Sequence, residues 1–283
     1  MSDLACRLAA IHIHPIKSCA GIAVDEALLV ETGLELDRAW MLVDPEGRMV
    51  TQRVLPRLAL VQPTLGSEEM RLRAPGMLAL HVALDRVETP TRARVWDDEV
   101  KAYDMGELAA QWFSDFAGRR LRLVRFDPEQ RRLSDRRWSG AVEAENAFSD
   151  AFPLLVVGQA SLDDLNRRLG ERGQAAVGIE RFRPNLVLDG IDPYDEDQID
   201  TLTIAAEGAE VKLKLVKPCV RCTIPSVDPA SGIQGDEPGA TLAGYRADAR
   251  MNGGITFAMN AVVQEGLLST LRVNQRVDLS FGF

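Results

Sequence analysis

Residues 217–232 read KPCVRCTIPSVDPASG, and the run leading into them, EVKLKLVKPC from Glu210 to Cys219, alternates apolar and charged residues as a strand with one buried face does. Outward from it the β pattern repeats. PLLVVG, NLVLDG and TLTIAAEG come before it, CTIPSV reads as a further β-type run, and GITFAMNAVVQEG and QRVDLSF follow a short helix over ATLAGYRAD. Short strands so closely spaced predict a barrel or curled sheet with helices on its rim. One rim helix falls on ASLDDLNRRLGERG, where Ser161 is expected to cap the first amides and Gly170 or Gly173 to end the helix.

The first hundred residues are also β in pattern. DPEG, Asp44 to Gly47, separates WMLV from MVTQR with proline and glycine where a hairpin turn needs them. Farther on, Pro90 and the pair Asp97 and Asp98 are expected to break strands. A helix is predicted from Glu107 to Phe116, with Leu108, Trp112 and Phe116 on one face and Asp104 as its cap. LSDRRWSGAVEAENAFSD is polar and aperiodic, and reads as a long loop between two halves. The expectation is a mainly β fold with α elements (α+β), divided as 1–139 and 140–283.

A chain of 283 residues, 46% hydrophobic, can bury two ordinary cores. A net charge of −9 and a pI near 5.0 argue against nucleic acid or an anionic membrane surface as partner, since both demand an excess of Lys and Arg. The start, MSDLACRLAAIHIHPIKS, lacks the tripartite pattern of a signal peptide, and no run approaches the roughly 18 apolar residues of a membrane helix. These features predict a cytoplasmic protein. Four cysteines are too few for a disulfide scaffold.

Cys219 and Cys222 therefore pose a chemical choice. Structural zinc needs four ligands, and Cys6, Cys19, His12, His14 and His81 show no matching spacing. A redox dithiol starts a helix, whereas TIPSVDP after Cys222 is β-branched and proline-rich. Two inert buried thiols are the bland reading. Against it, Arg221 lies between the cysteines and Lys217 before them, so that a thiolate would have cationic company. Lys17 and Ser18 in HPIKS, Arg38 in LDRAW, and Arg181 and Arg183 in RFRPN are further polar residues in apolar surroundings, and the cations among them call for anions. Taken singly, each is more often a surface or ion-pair residue. No general base stands out, and Asp228 reads as a turn residue.

HPIKSCAGI, GLELDRAWMLVD, RFRPNLVLDG and above all KPCVRCTIPSVDPASG resemble the signature segments of MOSC-domain proteins that carry an added N-terminal β-barrel domain, from about Leu8 to the end of the chain. The resemblance implies an N-terminal MOSC β-barrel over 1–139 and a MOSC domain over 140–283. It implies a pterin-based molybdenum cofactor, with Cys222 as the metal's thiolate and catalytic centre and Cys219 as a bystander. Lys17, Ser18, Arg38, Arg183, Asn185, Val220 and Arg221 fall where the family contacts that cofactor; Arg meets a phosphate with two parallel bonds and Lys as a point charge. Val220 replaces a small polar residue and Thr256 a tyrosine found in some relatives. A pyridoxal phosphate label also accompanies such families. The implied reaction is reduction of N-hydroxylated compounds (amidoximes, hydroxylamines, N-hydroxylated bases), with electrons from a separate ferredoxin, flavodoxin-like protein or reductase. The alternatives are a persulfide carrier and a protein that binds or delivers the cofactor.

Overall fold

Alternation alone does not explain the first strand, Leu4–Ile13, where the inward residues are Cys6 and Leu8 and then Ile11 and Ile13. In the computed structural model, which describes residues 4–85, 89–207 and 209–282, the phase change is a β-bulge. Leu8 pairs with Leu188 and Ala10 with Val187, so one extra residue bends the strand and returns its isoleucines to the core. A strand that must curl around a barrel gains that bend here.

The barrel closes through seven strands. In order around it stand Leu154–Gly158, Leu186–Asp189, Leu4–Ile13, Arg276–Phe281, Ile199–Ala206, Ala209–Val220 and Gly254–Glu265, the last pairing back onto the first. One neighbour pair is parallel, Leu154–Gly158 with Leu186–Asp189 (Val156 opposite Leu186), which requires a crossover. Helix Gln159–Glu171 supplies it and packs Leu162, Leu165 and Leu169 on the barrel's outer face against Val157, Val187 and Phe257. Inside, Leu8, Val156, Leu188, Leu202, Leu213, Ala261 and Val277 are buried together.

The second body is a curled five-stranded sheet in the order Thr89–Val95, Asp98–Asp104, Arg122–Phe126, Trp40–Val43 and Met49–Val50. Its edges approach each other, since Arg94 N donates to Gly47 O at 2.8 Å. The DPEG turn links its last two strands, with Val43 opposite Met49. Helix Glu107–Ala117 and the meander Gln62–Leu65, Glu69–Arg73 and Leu80–Ala83 complete its core. Strand pairing also crosses the 139/140 division. Leu4–Ile13 lies in the C-terminal barrel, and Glu26–Val30 pairs with Thr270–Arg272. That division is thus a proposal about units of sequence. No described helix is long and apolar enough to cross a membrane.

Several local expectations differ from the structure. Asp104 does not cap the helix that Gly106 precedes; its carboxylate is taken by the Arg122 guanidinium and by Gly106 N at 2.8 Å. The buried face of that helix is Ala109, Trp112, Phe113 and Phe116, while Leu108 is exposed. Pro90 sits inside strand Thr89–Val95 rather than breaking it, an edge position where a missing N–H is tolerated. Ser161 lies within its helix, which Gly158 starts, and Gly173 with φ +70° follows its end. CTIPSV is a turn of 3-10 helix at Ile224–Ser226, because the chain must leave the barrel after Val220. Residues 86–88 of the strand-rich stretch before Trp96 lie outside the described residues.

Candidate functional site

The cleft lies where the barrel's open end meets the curled sheet. Four segments reach it: Lys17 and Ser18 after the first strand with Arg38 and Arg53 nearby, Ser149–Phe152 from the long loop, Phe182–Asn185 before strand Leu186–Asp189, and Cys219–Cys222 at the end of strand Ala209–Val220. All eight residues singled out from sequence, Lys17, Ser18, Arg38, Arg183, Asn185, Val220, Arg221 and Cys222, line it together. The cleft holds about 770 Å³ of open space, solvent at its mouth included.

Three of the eight occupy left-handed backbone, Ser18 at φ +69°, Arg38 at +50° and Arg183 at +57°. Such conformations cost about 1–3 kcal/mol each for residues with a side chain, and they persist where surrounding structure fixes them. Ser18 is fixed by Gln52, whose amide donates to its carbonyl at 2.7 Å. Arg38 donates to Asp37, to Asn185 Oδ1 at 3.0 Å and to Arg183 O at 2.9 Å. Arg183 donates to the Cys19 carbonyl.

These contacts sort the residues into those consumed by the protein and those with donors to spare. Asn185 is nearly consumed: Oδ1 also accepts from Leu155 N at 3.1 Å, and Nδ2 donates to His12 O at 3.2 Å. It acts as a clip between two barrel strands. Lys17 Nζ donates to Phe148 O and Asp150 Oδ1, both at 2.6 Å. Burial lowers the Lys17 pKa, with Asp150 opposing. Asp150 also takes Arg53 at 3.1 Å; burial would raise its pKa, but Lys17 and Arg53 outweigh that and hold it below the usual carboxylate range. Conversely, Arg183 Nη2, Arg221 Nε and Arg53 Nη1 are shielded from solvent and have no partner. A guanidinium left short of acceptors in a cleft is costly unless an anion or polar ligand meets it.

The cysteines separate cleanly. Burial raises both Cys6 and Cys19 to about 12, so these thiols are inert. Cys222 is exposed at the cleft mouth, and Cys219 is half-buried. Arg221, expected beside the reactive thiol, donates through Nη1 to Cys219 Sγ at 3.0 Å and through Nη2 to Phe182 O at 3.0 Å. Arg53 is the cation next to Cys222. Burial lowers the Arg53 pKa, yet Asp150 and Cys222 together raise it above its ordinary value. Sequence reasoning missed Arg53 and Asp150, because neither TQR nor FSD carries a pattern beyond charge.

Other candidates fall away. Arg181 points outside the cleft, to Pro225 O at 3.2 Å and toward Asp228. Asp228 is a turn residue that accepts from Ala230 N at 3.0 Å and Ser231 Oγ at 2.8 Å. Thr256 is buried against Arg246. Burial first, then Arg183 and Arg38, hold His14 well below the usual histidine pKa, and its Nε2 lies 3.0 Å from Pro184 O as a neutral donor.

Among the described residues no three His, Cys, Asp or Glu side chains converge on a point. The donor set therefore fits a metal that arrives with its own ligands and takes one protein thiolate, and the three unpartnered guanidinium nitrogens fit an anionic group bound beside it. Lys17, committed to Phe148 and Asp150, speaks against the free amine that pyridoxal phosphate requires.

Comparison with known proteins gives the family. The model of the MOSC N-terminal beta barrel domain matches residues 5–120, and that of the MOSC domain residues 143–278. Mitochondrial amidoxime-reducing component 1 of Mus musculus is 39% identical over 249 residues, 84% of this chain and 71% of that protein. The Homo sapiens component 1 is 37% identical, over 84% of this chain and 72% of its own length. Homo sapiens component 2 is 34% identical over the same shares. The expected cytoplasmic address is corrected by these relatives, which are named as mitochondrial; a start without a signal-peptide pattern does not decide compartment.

Proposed function

The chain belongs to the MOSC-domain proteins that carry the N-terminal MOSC β-barrel, and we propose that it is a molybdenum-cofactor-dependent reductase of N-hydroxylated compounds. The observation that carries the reading is one cleft holding an exposed thiol and three guanidinium nitrogens without acceptors. The relatives named for amidoxime reduction supply the reaction class. In this reading Cys222 ligates molybdenum. Arg183 and Arg221 meet the anionic end of the pterin cofactor, and Lys17, Ser18, Arg38 and Asn185 shape the wall behind them. When bound, the cofactor supplies the two-electron couple that breaks the substrate's N–O bond.

The balance sets what else is required. An N-hydroxyl compound takes two electrons and two protons and leaves as the parent base plus water. The electrons come from a separate donor, a ferredoxin, a flavodoxin-like protein or a reductase. The protein's own residues bind and orient: the arginines neutralise the cofactor, and the open cleft mouth admits both substrate and water.

Elemental analysis of protein made in cofactor-competent cells tests the reading. Near-stoichiometric molybdenum in wild type, lost in Cys222→Ala with the fold intact by circular dichroism, is the expected result. No molybdenum in wild type would sink the proposal. The exposure of Cys222 favours one second reading, a carrier of persulfide sulfur, which predicts a cyanide-labile sulfur on Cys222 in place of retained metal.

A further inference from the structure

Arg132 is the one arginine buried among the described residues, 9% exposed, whereas its neighbour Arg131 meets Glu143 and Glu145 at the surface. A guanidinium tolerates burial where its donors find acceptors. Here most of them are main-chain carbonyls: Nη1 donates to Ala147 O at 3.2 Å and Ser149 O at 2.8 Å, and Nη2 to Asp150 O at 3.3 Å. Nε donates to Asp98 Oδ2 at 2.8 Å, at the turn between strands Thr89–Val95 and Asp98–Asp104. The same turn carries Trp96, and the Arg53 guanidinium lies over that ring, 4.7 Å from its centroid. Arg53 in turn reaches the Asp150 carboxylate at 3.1 Å. Two arginines seated on one turn thus hold one segment of the long loop.

That segment, Ser149–Phe152, lines the cleft and Arg132 does not, so Arg132 acts on it from behind. In a trans peptide a carbonyl and the next residue's amide point opposite ways. The Ala147 carbonyl faces Arg132, and the Phe148 amide accordingly reaches forward to the carbonyl of Arg38, a residue of the cleft lining, at 3.0 Å. By the same geometry the Ser149 and Asp150 carbonyls, held by Arg132, turn the Asp150 and Ala151 amides away from it. Among the described residues no carbonyl accepts from either amide. We propose that Arg132, anchored by Asp98, is a positioning residue of the cleft, whose planar fork sets the segment so that these two amides face an anion bound there. Geometry rather than charge does this, and a lysine, a point charge without the fork, cannot replace it. The inference rests on the reading of the cleft as the seat of an anionic ligand, and it requires neither the metal nor a substrate.

Alkylation of Cys222 by iodoacetamide, followed by mass spectrometry on the full chain purified without cofactor, reads whether an anion occupies the cleft. Inorganic phosphate is the probe, and chloride at matched ionic strength is the control. Phosphate is expected to slow alkylation in wild type. Arg132→Lys and Arg132→Gln should both raise the phosphate concentration that gives half-protection about two- to tenfold, the worth of one hydrogen bond, and Asp98→Asn should raise it less. Phe113→Leu, which loosens the core of the second body, should lose stability and keep wild-type protection, and this separates positioning from general loosening. Wild-type protection in Arg132→Lys would reduce the role to charge and overturn the proposal, as would the absence of protection in wild type. Protection that falls equally in Phe113→Leu would also overturn it. Arg132-dependent protection in a protein that retains no molybdenum would leave the positioning role standing and count against the reductase reading alone.

Discussion

Asp150 shows how a single residue can set the electrostatics of this cleft. It lies between Lys17 and Arg53, both of which reach it. Its folded pKa is depressed below the ordinary 3.8. The ion pairs therefore stabilise the fold in full above about pH 4, and that contribution is lost as pH falls below it, when the unfolded chain takes up protons that the folded one refuses. Removing one member of a buried pair costs about 3–5 kcal/mol, but Asp150 is half-exposed and solvent screening reduces this to about 1–2 kcal/mol. Asp150→Asn should lower stability by that amount at pH 7 in urea titrations. Its stability should also decline less steeply than wild type between pH 4 and 3. Parallel curves over that range would show that Lys17 and Arg53 do not hold the carboxylate ionised.

At the scale of elements, helix Glu107–Ala117 shows what periodicity conveys and where it misleads. The sequence locates the helix to within a residue, because bulky apolar residues recur every three or four positions. It places Trp112 and Phe116 correctly on the buried face and Leu108 wrongly. Leu108, Trp112 and Phe116 are each four apart, and such a row drifts around the helix; the face that packs is centred on Ala109, Phe113 and Phe116, with Trp112 at its side. Phe113 is fully buried and Leu108 is exposed. Phe113→Ala should destabilise by about 3–5 kcal/mol through cavity formation, whereas Leu108→Ala should stay within about 0.5 kcal/mol of wild type. Comparable losses from both would mean that Leu108 is covered in solution. The bulge at Ala9–Ala10 and the turn at Ile224–Ser226 escaped sequence reading for a related reason: both answer to barrel closure, which local pattern does not encode.

Across the whole molecule, the strand-rich architecture was legible from alternation, and the residues that line the cleft from motif resemblance rather than from spacing. Hidden from both were the contacts between distant segments, such as Arg53 meeting Trp96 and Asp150, and the first strand's membership in the C-terminal barrel. His14 is one of the ties that join these parts. Its backbone N donates to Asp37 Oδ1 at 2.7 Å, and its ring lies against Pro184 O on the segment leading to Asn185. Burial, then Arg183 and Arg38, keep the ring neutral when an unfolded histidine would be protonated. The sign follows directly. Above about pH 6.5 both states are neutral at this ring and it adds no pH dependence; below that value the unfolded chain binds a proton that the folded chain does not, and stability falls by up to about 1.4 kcal/mol per pH unit. His12, half-buried and shifted down by burial, adds to the same slope. Between pH 6.5 and 5, above the range in which Asp150 matters, wild-type stability should therefore decline on acidification. His14→Asn, which retains a donor for the Pro184 carbonyl, should decline less. Equal slopes in the two proteins would mean that the ring accepts a proton in the folded state, and that the joint between the two halves tolerates a third cation beside Arg38 and Arg183.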